Sequence, residues 1–478
     1  MTSLFLQLVI DWELVAIGFT LLLSGYLIAE ILLAVLRPWP RSPPDPDRPL
    51  PFVSVVIPTF DEPDEILAAT IASWEKVRYP AFEVVLADDS TEPIQLDSSR
   101  IRVLRRAHRE GFKGGALRNA FDHLHPLSEW MVVFDADFVV DPDVLVRFSD
   151  HFRPGVGGIQ GFMRMGLNHP ASLLTRFSEA LHEVAGVLLA GRYRYRGFVG
   201  VQGTVQAYRV EAIRAMGGLA PVTTANEDLD TSFRLRKAGW KIVYDPTIAG
   251  RGIAPDRYST FFGQITRWTA TTVREYRRHW ASYARSPDVP LWEKVDSVMF
   301  LLTWTNALVV APTMFFIPWS LLYLRLIPLW LAITITLLPL PVFLLPTLST
   351  RTPRLGLLGW LWYYVLLVPG SFVMLRAAVS GLWGEPGFAR TPKIAAASAR
   401  TPPPAAPEGW AWNGQRCPAR PYFATTCRRC GATIPPAEVV FYATAGLDVG
   451  SVECRNCLSD VEWMRFRAPS GPATPTAT

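Results

Sequence analysis

The chain has 478 residues, of which 50% are hydrophobic and 19% charged, and its formal net charge is +5. Its mean hydropathy is +0.18. That length holds two or three structural units. The positive hydropathy argues against a purely soluble enzyme and for membrane-spanning segments. No dense Lys/Arg run is present, so nucleic acid is not an expected partner.

Residues 12–36, WELVAIGFTLLLSGYLIAEILLAVL, are long enough to cross a bilayer and are interrupted mainly by Glu30. Asp11 and Glu13, not basic residues, flank its start, which speaks against a signal peptide. Arg37 and Arg41 follow, so the positive-inside rule places residue 37 onward in the cytosol. We read residues 1–37 as a transmembrane helix and the Pro-rich segment 38–51 as an extended linker.

Residues 52–257 read as an α/β domain. FVSVVIPTF (52–60), FEVVLADDS (82–90), IRVLRRA (101–107) and MVVFDADF (131–138) are strand patterns, and helical patterns separate them. Such alternation predicts a mostly parallel sheet with ligands gathered outside the strands' carboxyl ends. Asp61, Asp88, Asp89, Asp135 and Asp137 all fall at such ends. Asp135 and Asp137 are two apart, and on a strand they would share a face and repel each other. Either a cation sits between them at a polar cleft, or the strand stops at Phe134 and they belong to a solvated turn.

Three further stretches carry candidate chemistry. GFKGG (111–115) offers flexible backbone N–H groups and Lys113, a combination suited to a diphosphate or to an ordinary surface loop. In TANEDLDTSFRLRKAGW (224–240), a helix capped near Thr224 or Asn226 opens with Glu227 and Asp228, which its dipole favours in any case. YSTFFGQITRWTATTVREYRRHW, within 258–290, mixes aromatics with Arg at helical spacing and reads as a helix lying at the membrane interface.

Hydrophobicity returns over 296–385, where 297–324, 326–349 and 355–380 are each long enough to span. The last of these either crosses or bends back at Pro369–Gly370. Residues 386–415 hold GFARTPK (387–393) and a Pro/Ala-rich linker. In 416–467, CRRC (427–430) and CRNC (454–457) match a zinc ribbon, with Cys427, Cys430, Cys454 and Cys457 as a closed tetrahedral Zn²⁺ set. Two disulfides are the alternative if this end is extracytoplasmic. Cys417 is left over as a free thiol, and 468–478 reads as a disordered tail.

In this order the motifs resemble the membrane-embedded family 2 glycosyltransferases, specifically the processive, cellulose synthase-like group. Asp88/Asp89, the D-x-D of Asp135/Asp137, Glu227/Asp228, and the Q-x-x-R-W of Gln264, Arg267 and Trp268 carry the resemblance, together with VVIPTFDEP. It covers roughly residues 50–285 and the flanking spans. It implies a GT-A-type nucleotide-sugar-binding domain inserted between transmembrane helices, with the ribbon added at the C-terminal end.

The resemblance also implies roles. Phe60 and Asp89, with Asp88 nearby, would hold the nucleoside, and Lys113, Gln264 and Arg267 the diphosphate. Asp137, helped by Asp135, would bind Mg²⁺ or Mn²⁺. Asp228, beside Glu227, would be the general base, and Trp268 would face the acceptor sugar. Two departures stand out: Phe60 replaces the usual tyrosine, and Asn226 replaces a threonine. GFARTPK resembles an element on the cytosolic side, which favours a cytosolic C-terminus.

The expected protein is an inverting, metal-dependent polymerising β-glycosyltransferase of the plasma membrane with its catalytic domain in the cytosol. UDP-glucose is the first expected donor, ahead of GDP-mannose and UDP-N-acetylglucosamine. The alternative is a glycolipid synthase acting on a lipid such as diacylglycerol or ceramide. A third possibility, from another class, is an inactive scaffold recruited through a protein partner of the zinc ribbon.

Overall fold

A computed structural model describes residues 3–36, 39, 50–96, 100–168, 172–221, 224, 226–319, 333, 337–349 and 356–383, with short strands between 416 and 454. The α/β domain is built on β1 (Phe52–Thr59), β2 (Phe82–Asp88), β3 (Ile101–Arg105), β4 (Ser128–Val133), β5 (Val139–Val140), β6 (Val156–Met165), β7 (Gln206–Arg209) and β8 (Lys241–Gly252). These form one sheet in the order β3-β2-β1-β4-β7-β6-β8-β5. β3, β2, β1 and β4 are parallel, as the strand–helix alternation predicts. Beyond β4 the sheet is mixed: β7 is antiparallel to both β4 and β6, and β8 is parallel to β6 but antiparallel to β5. The expectation of a mostly parallel sheet therefore holds for one half only. Beyond β4 the chain reverses direction at β7 and again at β8, so among the described residues only β6 and β8 pair in parallel there.

β1 lies between β2 and β4 and is buried on both faces, which is why FVSVVIPT is nearly continuous in apolar residues. Its alternation divides the core. Val53, Val55 and Ile57 pack with Trp74 of α2 (Asp64–Glu75), while Val56 packs with Ala116 and Leu117 of α3 (Phe112–Asp122).

β4 ends at Val133, so Asp135 and Asp137 are not strand residues. They occupy a turn closed by the Phe138 N–H on the Asp135 carbonyl at 3.1 Å. The turn is not solvated either, because Phe134, Ala136, Asp137 and Phe138 are buried and Asp135 is half-buried. Thr204 Oγ1 accepts from the Asp135 N–H at 2.9 Å, and Thr70 Oγ1 donates to the Ala136 carbonyl at 2.7 Å.

The remaining helices of the domain are α4 (Val144–Ser149), α5 (Leu173–Arg194), α6 (Val210–Ala215) and α7 (Glu227–Lys237). Outside it stand α1 (Ser3–Val35), α8 (Tyr258–Arg285), α9 (Leu291–Thr305), α10 (Ala307–Trp319), α11 (Leu340–Ser349) and α12 (Gly356–Trp383). Among the described residues, Gln7–Val35 of α1 is long and apolar enough to cross a membrane. α9 and α10, bent by 40° between them, would make a second span if counted as one broken helix. α12 passes through Pro369 and Gly370 without a break, so no hairpin forms there.

α1 packs along α5, and the fit requires Gly191: a Cβ there would fall 2.1 Å from the Glu30 carbonyl oxygen. Glu30, the charge interrupting the apolar run, is buried, and its Oε1 accepts from Arg192 Nε at 2.8 Å and from the Tyr195 hydroxyl at 2.7 Å. It is a docking residue between α1 and the α/β domain rather than a flaw in a span.

In the C-terminal part, β12 (Val440–Ala443) pairs with β9 (Arg416–Ala419) and β13 (Val452–Cys454), and β10 (Thr425–Thr426) with β11 (Thr433–Ile434). Cys417 and Cys454 lie on strands. Cys427, Cys430, Cys457 and GFARTPK lie outside the described residues.

Candidate active site

Parallel β1, β2 and β4 end on the same edge of the sheet, which gathers Phe60, Asp88, Asp89 and the Asp135–Asp137 turn there. The two carboxylates at the end of β2 are engaged by arginines. Register pairs Asp88 with Arg105 of β3, whose guanidinium lies 2.9 Å from Asp88 Oδ2. Burial pushes the Asp88 carboxyl up, but hydrogen bonds from Ser90, Ile94 and Arg105 outweigh it and hold it below the usual range. Arg106 forks onto Asp89, with Nε at 2.7 Å from Oδ1 and Nη2 at 2.6 Å from Oδ2. The same guanidinium donates to the carbonyls of Glu110, at 2.5 Å, and Phe112, at 2.9 Å. Asp89 therefore fixes the loop that carries Lys113. The Phe60 ring lies under the Arg109 guanidinium, 3.4 Å from its centroid.

The loop turns on Gly111, with φ 66°, and α3 opens on Phe112, with φ 48°. Lys113 then points across the sheet edge, its Nζ 2.6 Å from Asp135 Oδ1 and 2.8 Å from the Gly203 carbonyl. Burial lowers its pKa, but Asp135, Glu227 and Asp228 act against this and hold the ammonium above its usual value.

α7 supplies the acids opposite. Asn226 caps it, its side chain accepting from the Leu229 N–H at 3.3 Å and donating to Thr271 of α8 at 3.2 Å. The residue that replaces threonine thus keeps the cap and ties α7 to α8. Glu227 packs against the backbone of Gly114, where a Cβ would lie 3.3 Å from its own. A Cβ at Gly203, whose φ is +88°, would lie 3.1 Å from Asp228 Oδ2 and 3.4 Å from Lys113 Nζ. The Asp228 carboxyl is pushed up to about 7, first by burial and then by Glu227, with Lys113 opposing.

Gln264, Arg267 and Trp268 share one face of α8 by their i, i+3, i+4 spacing. Burial lowers the Arg267 pKa, and Glu227, Asp135 and Asp228 oppose that shift, which places this guanidinium in the field of the same acids. Trp268 is half-exposed, between His182 of α5 and Trp304 of α9. So Lys113, Asp135, Glu227, Asp228 and Arg267, drawn from four separate segments, meet in one cluster of alternating charge.

Residues 49–271 match the family described as glycosyltransferase like family 2. They are a family 2 glycosyltransferase domain. Among similar proteins, glucomannan 4-beta-mannosyltransferase 1 of Oryza sativa subsp. japonica is 29% identical over 286 residues, covering 53% of each chain. Glucomannan 4-beta-mannosyltransferase 7 of Arabidopsis thaliana is 29% identical over 264 residues, covering 51% of this chain and 47% of its own. The chain thus spans about half the length of the curated relatives it matches. The glycosyltransferase domain and its flanking helices share the fold of the mannosyltransferase PcManGT from Pyrobaculum calidifontis, solved with GDP-Man and Mn²⁺. The TM-score is 0.53 at 19% identity, covering 78% of this chain and 99% of that one.

Sequence reasoning missed the arginines of the domain. Arg105 and Arg106 end β3 beside the acids that end β2, and a parallel register between the two segments would have paired them. It also missed a buried triad behind α7: Asp230, Glu275 and His279, whose ligand atoms lie within 4.8 Å of one another and could hold a metal ion. His279 Nε2 lies 3.0 Å from Asp230 Oδ1, and Arg234 and Lys237 flank the group. Glu275 Oε2 lies 3.5 Å from His279 Nε2, and although burial lowers the His279 pKa, the two acids outweigh it and raise it. The spacing Glu275-x-x-x-His279 was the available signal.

Proposed function

We propose that this chain is an inverting β-glycosyltransferase that moves a mannosyl group from a nucleoside diphosphate onto a growing glycan at a membrane. The observation carrying this reading is the convergence of Lys113, Asp135, Asp228 and Arg267 within a family 2 domain. The mannosyltransferase names of the curated relatives move the donor away from UDP-glucose. GDP-mannose becomes the first choice, the sugar nucleotide in the PcManGT complex.

Lys113 and Arg267 act as the cations for the donor's diphosphate, with Gln264 beside Arg267 on the same helical face. Phe60, with the Arg109 guanidinium on its ring, lies beside the nucleobase, while Asp88 and Asp89 act by holding β3 and the Lys113 loop. Asp135 and Asp137 offer hard carboxylate oxygens at a partly buried turn, a donor set that suits Mg²⁺ or Mn²⁺. A divalent ion bound there supplies charge neutralisation for the nucleotide leaving group. Asp228, with a carboxyl titrating near 7, is matched to take a proton from an acceptor hydroxyl at cytosolic pH. A single displacement inverts the anomeric centre, so an α-linked donor gives a β-linked product.

The C-terminal cysteines are read as a structural zinc ribbon that docks a protein partner. β10 ends directly before Cys427, and β13 ends at Cys454, so each C-x-x-C starts where a strand stops.

A lipid acceptor is the second reading. α9, which brings Trp304 against Trp268, also exposes the apolar Leu291, Trp292 and Val295 near its other end, a surface that suits contact with lipid.

Mass spectrometry of products made by the full chain in lipid nanodiscs, with Mn²⁺ or Mg²⁺ and one nucleotide sugar at a time, tests these readings. A ladder of oligosaccharides from GDP-mannose is the expected result. A single mass increment on a lipid would move the enzyme to glycolipid synthesis. No product from any donor would sink both.

A further inference from the structure

His182 lies on α5, outside the charged cluster, yet its ring meets Trp268 at 6.1 Å between centroids and 78° between planes. Its Nδ1 lies 2.8 Å from the Ser178 carbonyl one helical turn back. A carbonyl oxygen only accepts, so Nδ1 carries the ring proton. A neutral imidazole in that tautomer presents a lone pair at Nε2. Burial holds the His182 pKa below its usual value, which keeps this neutral form at cytosolic pH.

Two rings meet Trp268 nearly edge-on. His182 stands nearly perpendicular to it, and so does Trp304, at 6.4 Å and 81°. Neither lies parallel on the half-exposed indole. Parallel stacking on an aromatic face is the contact that the C–H face of a sugar makes. Stacking alone leaves the sugar free to rotate about the stacking axis. Orienting one hydroxyl for attack needs a directional contact at the sugar's rim, where its hydroxyl groups project.

We propose that His182 is an acceptor-binding residue whose Nε2 accepts a hydrogen bond from a hydroxyl of the sugar stacked on Trp268. This deepens the reading of Trp268 as the acceptor platform and rests on it. An uncharged acceptor atom suits a hydroxyl donor and does not compete for the diphosphate, which Lys113 and Arg267 attract. His182 would therefore affect the acceptor and leave the donor untouched.

Binding of β-1,4-mannotetraose to the full chain in nanodiscs, followed by calorimetry, tests this without turnover. His182→Phe keeps a ring of similar size but has no acceptor atom, and His182→Gln restores one through Oε1. The expected result is a Kd roughly five- to tenfold weaker for His182→Phe, with substantial recovery in His182→Gln. GDP-mannose affinity should stay within about twofold in both. Should His182→Phe not fold, His182→Leu serves in its place. Equal Kd values for wild type and the variant lacking an acceptor atom would overturn the proposal, as would an oligosaccharide that binds neither. A purely structural role would lower thermal stability and weaken donor and acceptor alike, without rescue by Gln. Oligosaccharide bound by a wild-type protein that turns over no nucleotide sugar would defeat the proposed transferase reading, while the Kd comparison still decides the role of His182.

Discussion

Lys113 Nζ lies 2.6 Å from Asp135 Oδ1, joining the N-terminus of α3 to the turn after β4 across the edge of the sheet. The pair belongs to a larger alternation of charge in which Glu227 and Asp228 also face the ammonium. A lysine held among three acids stands where phosphate oxygens and a divalent ion would share the same field. Replacing Lys113 with Met should therefore weaken donor binding, by about tenfold or more for one lost charge-assisted hydrogen bond. Titration calorimetry with GDP-mannose and Mn²⁺ measures it, and an unchanged Kd would remove Lys113 from the donor site.

Asp228 is the proposed general base. Asp228→Asn should lower kcat by about 10²–10⁴, the usual worth of a positioned base, while the protein stays folded and binds donor. In the wild type, kcat should rise with pH and level off above about 7, as the carboxyl pushed up to about 7 ionises. A flat profile across that range would assign the proton transfer to another group.

The same carboxyl links stability to pH. Pushed up to about 7 in the folded chain, it lies above the ordinary aspartate value of 3.8, so between these values the folded chain holds a proton that the unfolded chain has released. Stability contributed through this group therefore falls as pH rises through that window. Asp228→Asn cannot ionise, and its gain in Tm over the wild type should grow between about pH 4 and pH 7 and then level off. A gain independent of pH would place the folded carboxyl at its ordinary value.

Arg106 joins Asp89 to the carbonyls of Glu110 and Phe112. Side-chain exposure is 12% for Arg106 and 6% for Asp89, so removing one partner leaves a charge poorly solvated. Arg106→Ala should cost about 3–5 kcal/mol of stability, measured by denaturant unfolding. Arg106→Lys should recover only part of it, because an ammonium cannot reproduce the fork.

The proposed zinc ribbon requires about one equivalent of tightly held Zn²⁺ per chain, read by metal analysis after dialysis against a weak chelator. Cys430→Ser should lose it and leave donor turnover within about twofold. Zn²⁺ retained in that variant would argue for a different ligand set.

Sequence alone determined much of this protein. Apolar runs such as FVSVVIPT become buried central strands because a strand covered on both faces needs apolar residues throughout. The strand-end positions of Phe60, Asp88 and Asp135 placed them on one edge, since parallel strands start and stop together. The family motifs follow from the same local patterns. Tertiary structure decided the rest. The D-A-D stretch leaves its strand yet stays inside, because Thr70 and Thr204, far away in sequence, hold its backbone. Asp88 and Asp89 pair with Arg105 and Arg106, since register brings β3 alongside β2. Glu30 looked like an interruption until Arg192, 162 residues away, was seen to partner it. Likewise, nothing in the spacing of the chain brings His182 to Trp268. Propensity and periodicity act over a few residues, while the partner of a buried charge or ring is chosen by how distant segments pack.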